Sequence, residues 1–261
     1  MKFFKNFLLK SNKKLITHNG AFHADDIFAC AALELFLEAR GESFTVTRTR
    51  DEALIAAGDY VFDVGGIYDA EKNRFDHHQI GGAGKRNNGI EYAAFGLVWK
   101  KIGVALAGSQ AVADTIDQRL VAPIDAHDNG FDLVQNKSDV SPYLIQNFFG
   151  SMRPTWREDS DNDEMFLRSV LIAREVLARE IIQSHDALAA KESVTALYTT
   201  APDKRVIVLD KNYPFEYILK DFREPLFAIY PRKSDGYFGV KAIKEDPKSF
   251  KNRKDFPAAW P

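Results

Sequence analysis

The sequence predicts an α/β fold in two parts, a larger strand-and-helix domain followed by a smaller α+β domain. Three observations predict it. Short apolar runs alternate with helical stretches through the first half, a polar segment at 157–164 interrupts the pattern, and strand-like runs return near the C-terminus. At 261 residues the chain has room for two modest domains and enough apolar content for their cores. The boundaries read as 1–140 for the first domain, 141–164 for a connecting segment and 165–261 for the second.

Leu15-Ile16 reads as a short strand and Ile27 to Arg40 as a helix rich in Ala, Leu and Glu. Between them, His18-Asn19-Gly20-Ala21-Phe22-His23-Ala24-Asp25-Asp26 brings imidazoles and carboxylates onto one strand-to-helix turn. Such turns lie at the carboxyl edge of a sheet, where ligands bind in open α/β folds. His and Asp converging there suit a divalent metal such as Mn²⁺ or Zn²⁺, while Asp25 or Asp26 also suits a helix cap.

Phe44 to Arg50 continues as a strand and Asp51 to Ala57 as a short capped helix. Asp59 to Gly66 is then a buried-looking strand with Asp63 near its end, before two glycines that let a ligand or another backbone approach. Tyr68 to Arg74 reads as a hairpin turn into Arg74-Phe75-Asp76-His77-His78-Gln79. Neighbouring strand side chains point to opposite faces, so one of the paired histidines should bind metal while the other meets substrate. Asp76 is the candidate for orienting a ligating imidazole.

Gly81 to Gly89 is a glycine-rich loop carrying Lys85 and Arg86, without a P-loop ending, and reads as a plain loop or a mobile lid. Glu91 to Ile102 and Ser109 to Ile124 have helical spacing, with Trp99 in the core stripe. The second of these runs into Asp125-Ala126-His127-Asp128-Asn129-Gly130, a further acidic cluster. Tyr143 to Met152 reads as a short helix and Met165 to Tyr198 as a long one, with His185 solvated. Arg205 to Asp210, Leu226 to Arg232 and Tyr237 to Ile243 are strand-like, with a helix near Pro214 to Asp221. The basic residues among and after them could face a polyanion, although most charged runs are simply solvated.

Composition excludes several classes. A formal net charge of −2 rules out a strongly basic nucleic-acid coat, so any polyanion site must be local. The lone Cys30 provides neither a disulfide framework nor a cysteine zinc site, and no run is apolar enough to span a membrane. Met1 to Lys14 reads as a basic N-terminus, not a targeting peptide, and the expected compartment is the cytoplasm.

The order His-Asn-Gly-x-Phe-His-x-Asp, Asp-Val-Gly-Gly, Phe-Asp-His-His-Gln and Asp-x-x-Asp-Asn-Gly resembles the MYG family, a branch of the DHH phosphoesterase superfamily. The likeness runs nearly the whole length, taking in Gly96-Leu97-Val98-Trp99, Pro154-Thr155-Trp156, Arg253, Phe256-Pro257 and Trp260. The resemblance implies a parallel-sheet DHH-type metal domain, a smaller substrate domain, and an active site in the cleft. It implies 3′→5′ exonuclease activity on RNA or short oligonucleotides, with hydroxide held between two divalent ions, most simply Mn²⁺, with Mg²⁺ as the alternative. Mapped by motif, His18, His23, Asp25, Asp63, His77 and Asp128 are the metal ligands, with Asp63 bridging. His78 is the phosphate-facing catalytic partner, Asp76 its acidic neighbour, and Asp125 a lesser rival to Asp128.

Two departures stand out. His23 occupies the position where the superfamily's first motif has an Asp, and the leading His is displaced by one residue. The resemblance also implies a Gly-rich tail with a Cys-His pair beyond Trp260; if such a tail helps hold substrate, activity here is expected to be reduced or altered. A small-molecule phosphatase or pyrophosphatase of the same superfamily, and a metal-bound regulatory module whose catalysis has lapsed, are the rival expectations. No obligate protein partner is evident from the sequence, and a homodimer is compatible with it.

Overall fold

The computed structural model describes residues 12–246 and 249–259. Trp260 and the basic stretch up to Ser11 lie outside the described residues. The chain divides into two compact units, 1–181 and 182–261.

The first unit is built on β1 (Lys13–Thr17), β2 (Phe44–Arg48), β3 (Tyr60–Phe62), β4 (Tyr68–Asp69) and β5 (Arg74–Phe75). The order is β2-β1-β3-β5-β4, with every pair parallel except β4 against β5. Parallel neighbours require crossovers, and α1 (Ala24–Ala39) and α2 (Glu52–Ala56) supply them among β1, β2 and β3, while the chain passes from β3 to β5 through β4. Asp51 caps α2, its Oδ1 accepting the N–H groups of Ala53 and Leu54 at 2.9 Å. Ile16, Val61 and Val64 pack with Ile55 of this short helix. The alternate residues Leu15 and Phe62 point the other way and are fully buried.

α1 is apolar around most of its circumference, as a helix enclosed by others must be. It packs with α3 (Ala94–Ala107), where Phe28 stacks on Phe95 at 5.3 Å. Phe149 of α6 (Ile145–Ser151) meets the same ring edge-on at 5.7 Å. α4 (Gln110–Ile116) continues through a π-helical turn, Asp117–Val121, into α5 (Ala122–Asp128). Pro123 has no N–H to give an α-helical ladder, which is consistent with the widened turn just before it.

α7 (Asn162–Thr200) contains no Gly or Pro, and the division between the units falls within it. The chain is already helical at the end of the polar segment 157–164, ahead of the sequence-based start at Met165. In the second unit β6 (Val206–Val208) pairs parallel with β7 (Phe227–Pro231), which pairs antiparallel with β8 (Phe238–Ala242). α8 (Glu216–Leu219) lies between β6 and β7 in sequence. Val194, Ile207, Leu209, Phe215, Leu219, Ala228 and Ile243 form the unit's core.

Candidate metal centre

The carboxyl ends of β1, β3 and β5 gather the chemistry, because the parallel strands finish side by side and each is followed by a polar turn. Asp63 follows β3 with φ of 52°, a left-handed conformation that Asp tolerates better than most residues. Its backbone N–H is held by the Phe75 carbonyl at 3.2 Å, and Gly65 and Gly66 continue the turn at positive φ. Asp63 is therefore a buried carboxylate held in place by a turn that costs on the order of 1 kcal/mol in strain.

Two histidines reach it. His18 places Nε2 3.2 Å from Asp63 Oδ2 and 3.2 Å from Asp26 Oδ2. His77 places Nε2 3.5 Å from Asp63 Oδ1 and 3.1 Å from Asp128 Oδ2. In both rings the other nitrogen is committed: His18 Nδ1–H donates to the Asn19 carbonyl at 3.0 Å, and His77 Nδ1–H to Asn129 Oδ1 at 3.3 Å. Each ring thus turns Nε2 toward Asp63, where it faces the carboxylates as a proton donor when no cation is bound and would offer a lone pair to one that is.

Three overlapping sets have donor atoms within 4.8 Å of one another: His18, His23 and Asp63; Asp63, His77 and His78; Asp25, His77 and Asp128. Asp63 links the first two sets and His77 the last two. All six residues expected as metal ligands are therefore brought together, along with His78. The arrangement fits cations. Two donors about 2.1 Å from one ion lie roughly 3.0–3.4 Å apart at octahedral or tetrahedral angles, close to the His–Asp separations here. Asp26 Oδ2, Asp63 Oδ1 and His77 Nε2 are also buried with only the cluster's own charged groups nearby and no well-aligned hydrogen bond among the described residues, the condition expected of atoms whose partner is an ion.

The electrostatics point the same way. Burial pushes Asp25 up, and the nearby Asp128, Asp63 and Asp125 carboxylates add to it. Burial opposes charge on His18, yet the facing Asp26 and Asp63 carboxylates hold it up to about 10; His77, likewise buried, is held up to about 11 by Asp128 and Asp63. Burial would raise Asp63, but the two imidazoles win and keep it well below the usual carboxylate range. Without a cation, this concentration of carboxylates retains protons on its histidines.

The remaining acids divide by what they touch. Asp25 accepts the first N–H groups of α3, from Ala94 at 3.0 Å and Phe95 at 2.8 Å, so α3 fixes its carboxylate. Asp26 accepts the His23 N–H at 2.8 Å, closing the N-terminus of α1 as the cap the sequence suggested. Asp125 is fully buried between the Gly96 N–H and Arg86 and belongs to none of the three sets of donors found among the described residues.

Strand alternation fails at the paired histidines because β5 ends at Phe75, before either of them. Their rings lie 4.1 Å apart and both contact Asp63. Asp76 serves His78: its Oδ1 accepts the His78 N–H and Nδ1–H, each at 2.9 Å, while Oδ2 accepts the Gly66 N–H. The His78 side chain remains 64% exposed, in a position to meet a ligand. His77 is held instead by Asn129, whose amide donates to the Asp125 and Glu91 carbonyls. Sequence reasoning gave Asn129 no role; its place one residue after Asp128 was the available signal. It also read Arg86 as a loop cation, whereas the guanidinium is tied to Asp117 and Asp125, both at 2.7 Å.

The family model MYG1_exonuc, described as "Uncharacterised protein family (UPF0160)", matches residues 14–261. The MYG1 exonuclease of Homo sapiens is 29% identical over 289 residues, covering 97% of this chain and 75% of that protein. A MYG1 protein of Schizosaccharomyces pombe is 26% identical over 280 residues, covering 95% and 84%. A crystal structure of RecJ in complex with Mn²⁺ from Thermus thermophilus aligns at 15% identity with a TM-score of 0.29, covering 90% of this chain and 45% of that one.

Proposed function

We propose, from the premise that this chain belongs to the MYG1 exonuclease family, that it is a metal-dependent phosphodiester hydrolase acting as a 3′→5′ exonuclease on RNA or short oligonucleotides. The observation that carries this reading is Asp63, one carboxylate shared by two sets of potential ligands. A shared carboxylate is what a two-cation phosphoryl-transfer centre requires, and Mn²⁺ suits its imidazole and carboxylate donors. When bound, such cations lower the pKa of a shared water and neutralise charge developing on the phosphate oxygens.

The protein's own groups do the rest. Asn19 and Asn129 lock His18 and His77 in the tautomer that offers Nε2. Asp76 accepts Nδ1–H of His78 and so fixes the direction of Nε2, which donates to a phosphate oxygen or the leaving group from the imidazolium form and accepts a proton from the neutral one. The backbone of α3 fixes Asp25 before any ligand arrives, which reduces the reorganisation needed on binding.

No described helix is long and apolar enough to cross a membrane. In this reading the enzyme works from the 3′ end of its substrate, in the cytoplasm, and needs no obligate protein partner. A hydrolysis screen over RNA, DNA, dinucleotides, pyrophosphate and polyphosphate, with and without Mn²⁺, tests it. Mononucleotide release from the 3′ end of RNA, lost with chelator and restored by Mn²⁺, is the expected result. Cleavage of pyrophosphate alone would replace the reading with a small-molecule phosphatase; metal binding without turnover would leave a regulatory module.

A further inference from the structure

We infer that Arg153 holds the phosphate of a single nucleotide unit in the pocket beside the metal centre, an inference that rests on the phosphodiesterase reading. A pocket of about 530 Å³ within the first unit is lined on one side by His23, Asp25, His127 and Asp128. Gln146, Asn147, Gly150 and Arg153 line it from α6 and the turn that follows. Its volume lies in the roughly 300–1,000 Å³ range of small-ligand sites and suits one nucleotide rather than a length of strand.

Arg153 is the one guanidinium in this lining. It is half-buried beside a carboxylate-rich cluster, yet forms no ion pair with any described residue. Its Nε donates to the carbonyl of Phe22, which lies between His18 and His23 in sequence, at 2.5 Å, and its Cζ lies 5.9 Å from the centre of the Phe22 ring. These contacts fix the side chain while its terminal nitrogens find no partner among the described residues. Pro154 restrains it further, since a residue before proline is biased to extended backbone. A fixed guanidinium with free N–H groups is suited to bidentate recognition of phosphate.

Asn147 adds a polar neighbour. Its Oδ1 accepts the Leu144 N–H at 2.8 Å, which leaves the amide NH₂ unclaimed by any described residue. With one phosphate over the His–Asp cluster and a second at Arg153, the pocket selects substrates carrying a phosphate one nucleotide from the bond that breaks. A dinucleotide with a terminal phosphate is then a better substrate than the same dinucleotide without one.

The test is calorimetric titration of adenosine 5′-monophosphate into Mn²⁺-loaded wild type, Arg153→Met and Arg153→Lys. Arg153→Met is expected to weaken nucleotide binding roughly 10- to 100-fold, as loss of charge-assisted hydrogen bonds does, with Arg153→Lys intermediate. The Mn²⁺ isotherm should be the same in all three, which shows that the fold and the metal centre persist. In turnover, the preference for a terminally phosphorylated dinucleotide should disappear in Arg153→Met. No nucleotide binding by wild type, or equal binding by Arg153→Met, overturns the inference. Arg153-dependent nucleotide binding with no phosphodiester cleaved by wild type would support the site and defeat the hydrolase reading instead.

Discussion

The carboxylate of Asp125 lies against the backbone of Gly96, accepting its N–H at 3.0 Å in space that a side chain at 96 would otherwise fill. A Cβ built at Gly96 would stand 1.8 Å from Asp125 Oδ2 and 2.9 Å from Arg86 Nη2. Helix propensity alone favours Ala over Gly by about 1 kcal/mol. Here the clash decides the sign, because Asp125 and Arg86 are buried and cannot move without losing one another. Gly96→Ala is expected to destabilise the protein by about 3 kcal/mol, read from urea unfolding. Equal or greater stability would show that the pair yields freely.

Asp63 carries the second prediction. Asparagine keeps the shape and accepts the left-handed backbone of position 63, but it removes the charge that faces His18 and His77. Asp63→Asn should therefore retain the circular dichroism of the wild type while hydrolysis falls by roughly a thousandfold, the equivalent of about 4 kcal/mol of transition-state stabilisation. Turnover within a few-fold of wild type would remove Asp63 from the shared position assigned to it.

The third prediction concerns protons. In the metal-free protein the carboxylates hold His18 up to about 10 and His77 up to about 11, so both carry a proton at neutral pH. Both imidazoles must be neutral to bind a cation, so binding releases protons and affinity rises with pH until those values are passed. Mn²⁺ titrations at pH 7.5 in buffers of different ionisation enthalpy should report the release of one to two protons, by this linkage about one per ligating His. Stability of the metal-free protein has the opposite sign. The contribution of these raised groups is complete below their unfolded value of 6.5 and is lost as pH climbs through about 10 and 11. Mn²⁺ affinity that stayed flat from pH 6 to 8 would contradict the linkage.

What the sequence makes legible follows from where each residue gets its constraint. His18, His23, Asp25, Asp63, His77 and Asp128 sit at element ends, in short motifs whose residue types are costly to place together for any purpose but holding charge. The strands and helices around them were legible because Leu15-Ile16, Phe44 to Arg48 and the Ala-rich α1 each carry a local pattern. The facing of His77 and His78 was not, since a two-residue strand ends before the alternation rule reaches them. Arg86 was also hidden. Its loop looks polar and mobile, and only the distant Asp117 and Asp125 make it a buried fixture. Within α7, continuous helical sequence hides the point where one compact unit gives way to the next.

Asn129 is the other residue that only tertiary structure reveals, and it supports the last prediction. Its Oδ1 lies 3.3 Å from His77 Nδ1, and its amide is anchored to the Asp125 carbonyl at 2.9 Å, so the side chain cannot turn without breaking that bond. Removing it leaves His77 free to flip or to take the other tautomer, with Nε2 no longer directed at Asp63 and Asp128. Asn129→Leu should weaken Mn²⁺ binding by roughly 10- to 100-fold, as loss of a partner behind a ligating histidine does. Asn129→Asp keeps an acceptor for Nδ1–H and should recover most of that affinity, although it gives up the two amide donations. A leucine variant that binds Mn²⁺ like the wild type would show that His77 is oriented by packing alone.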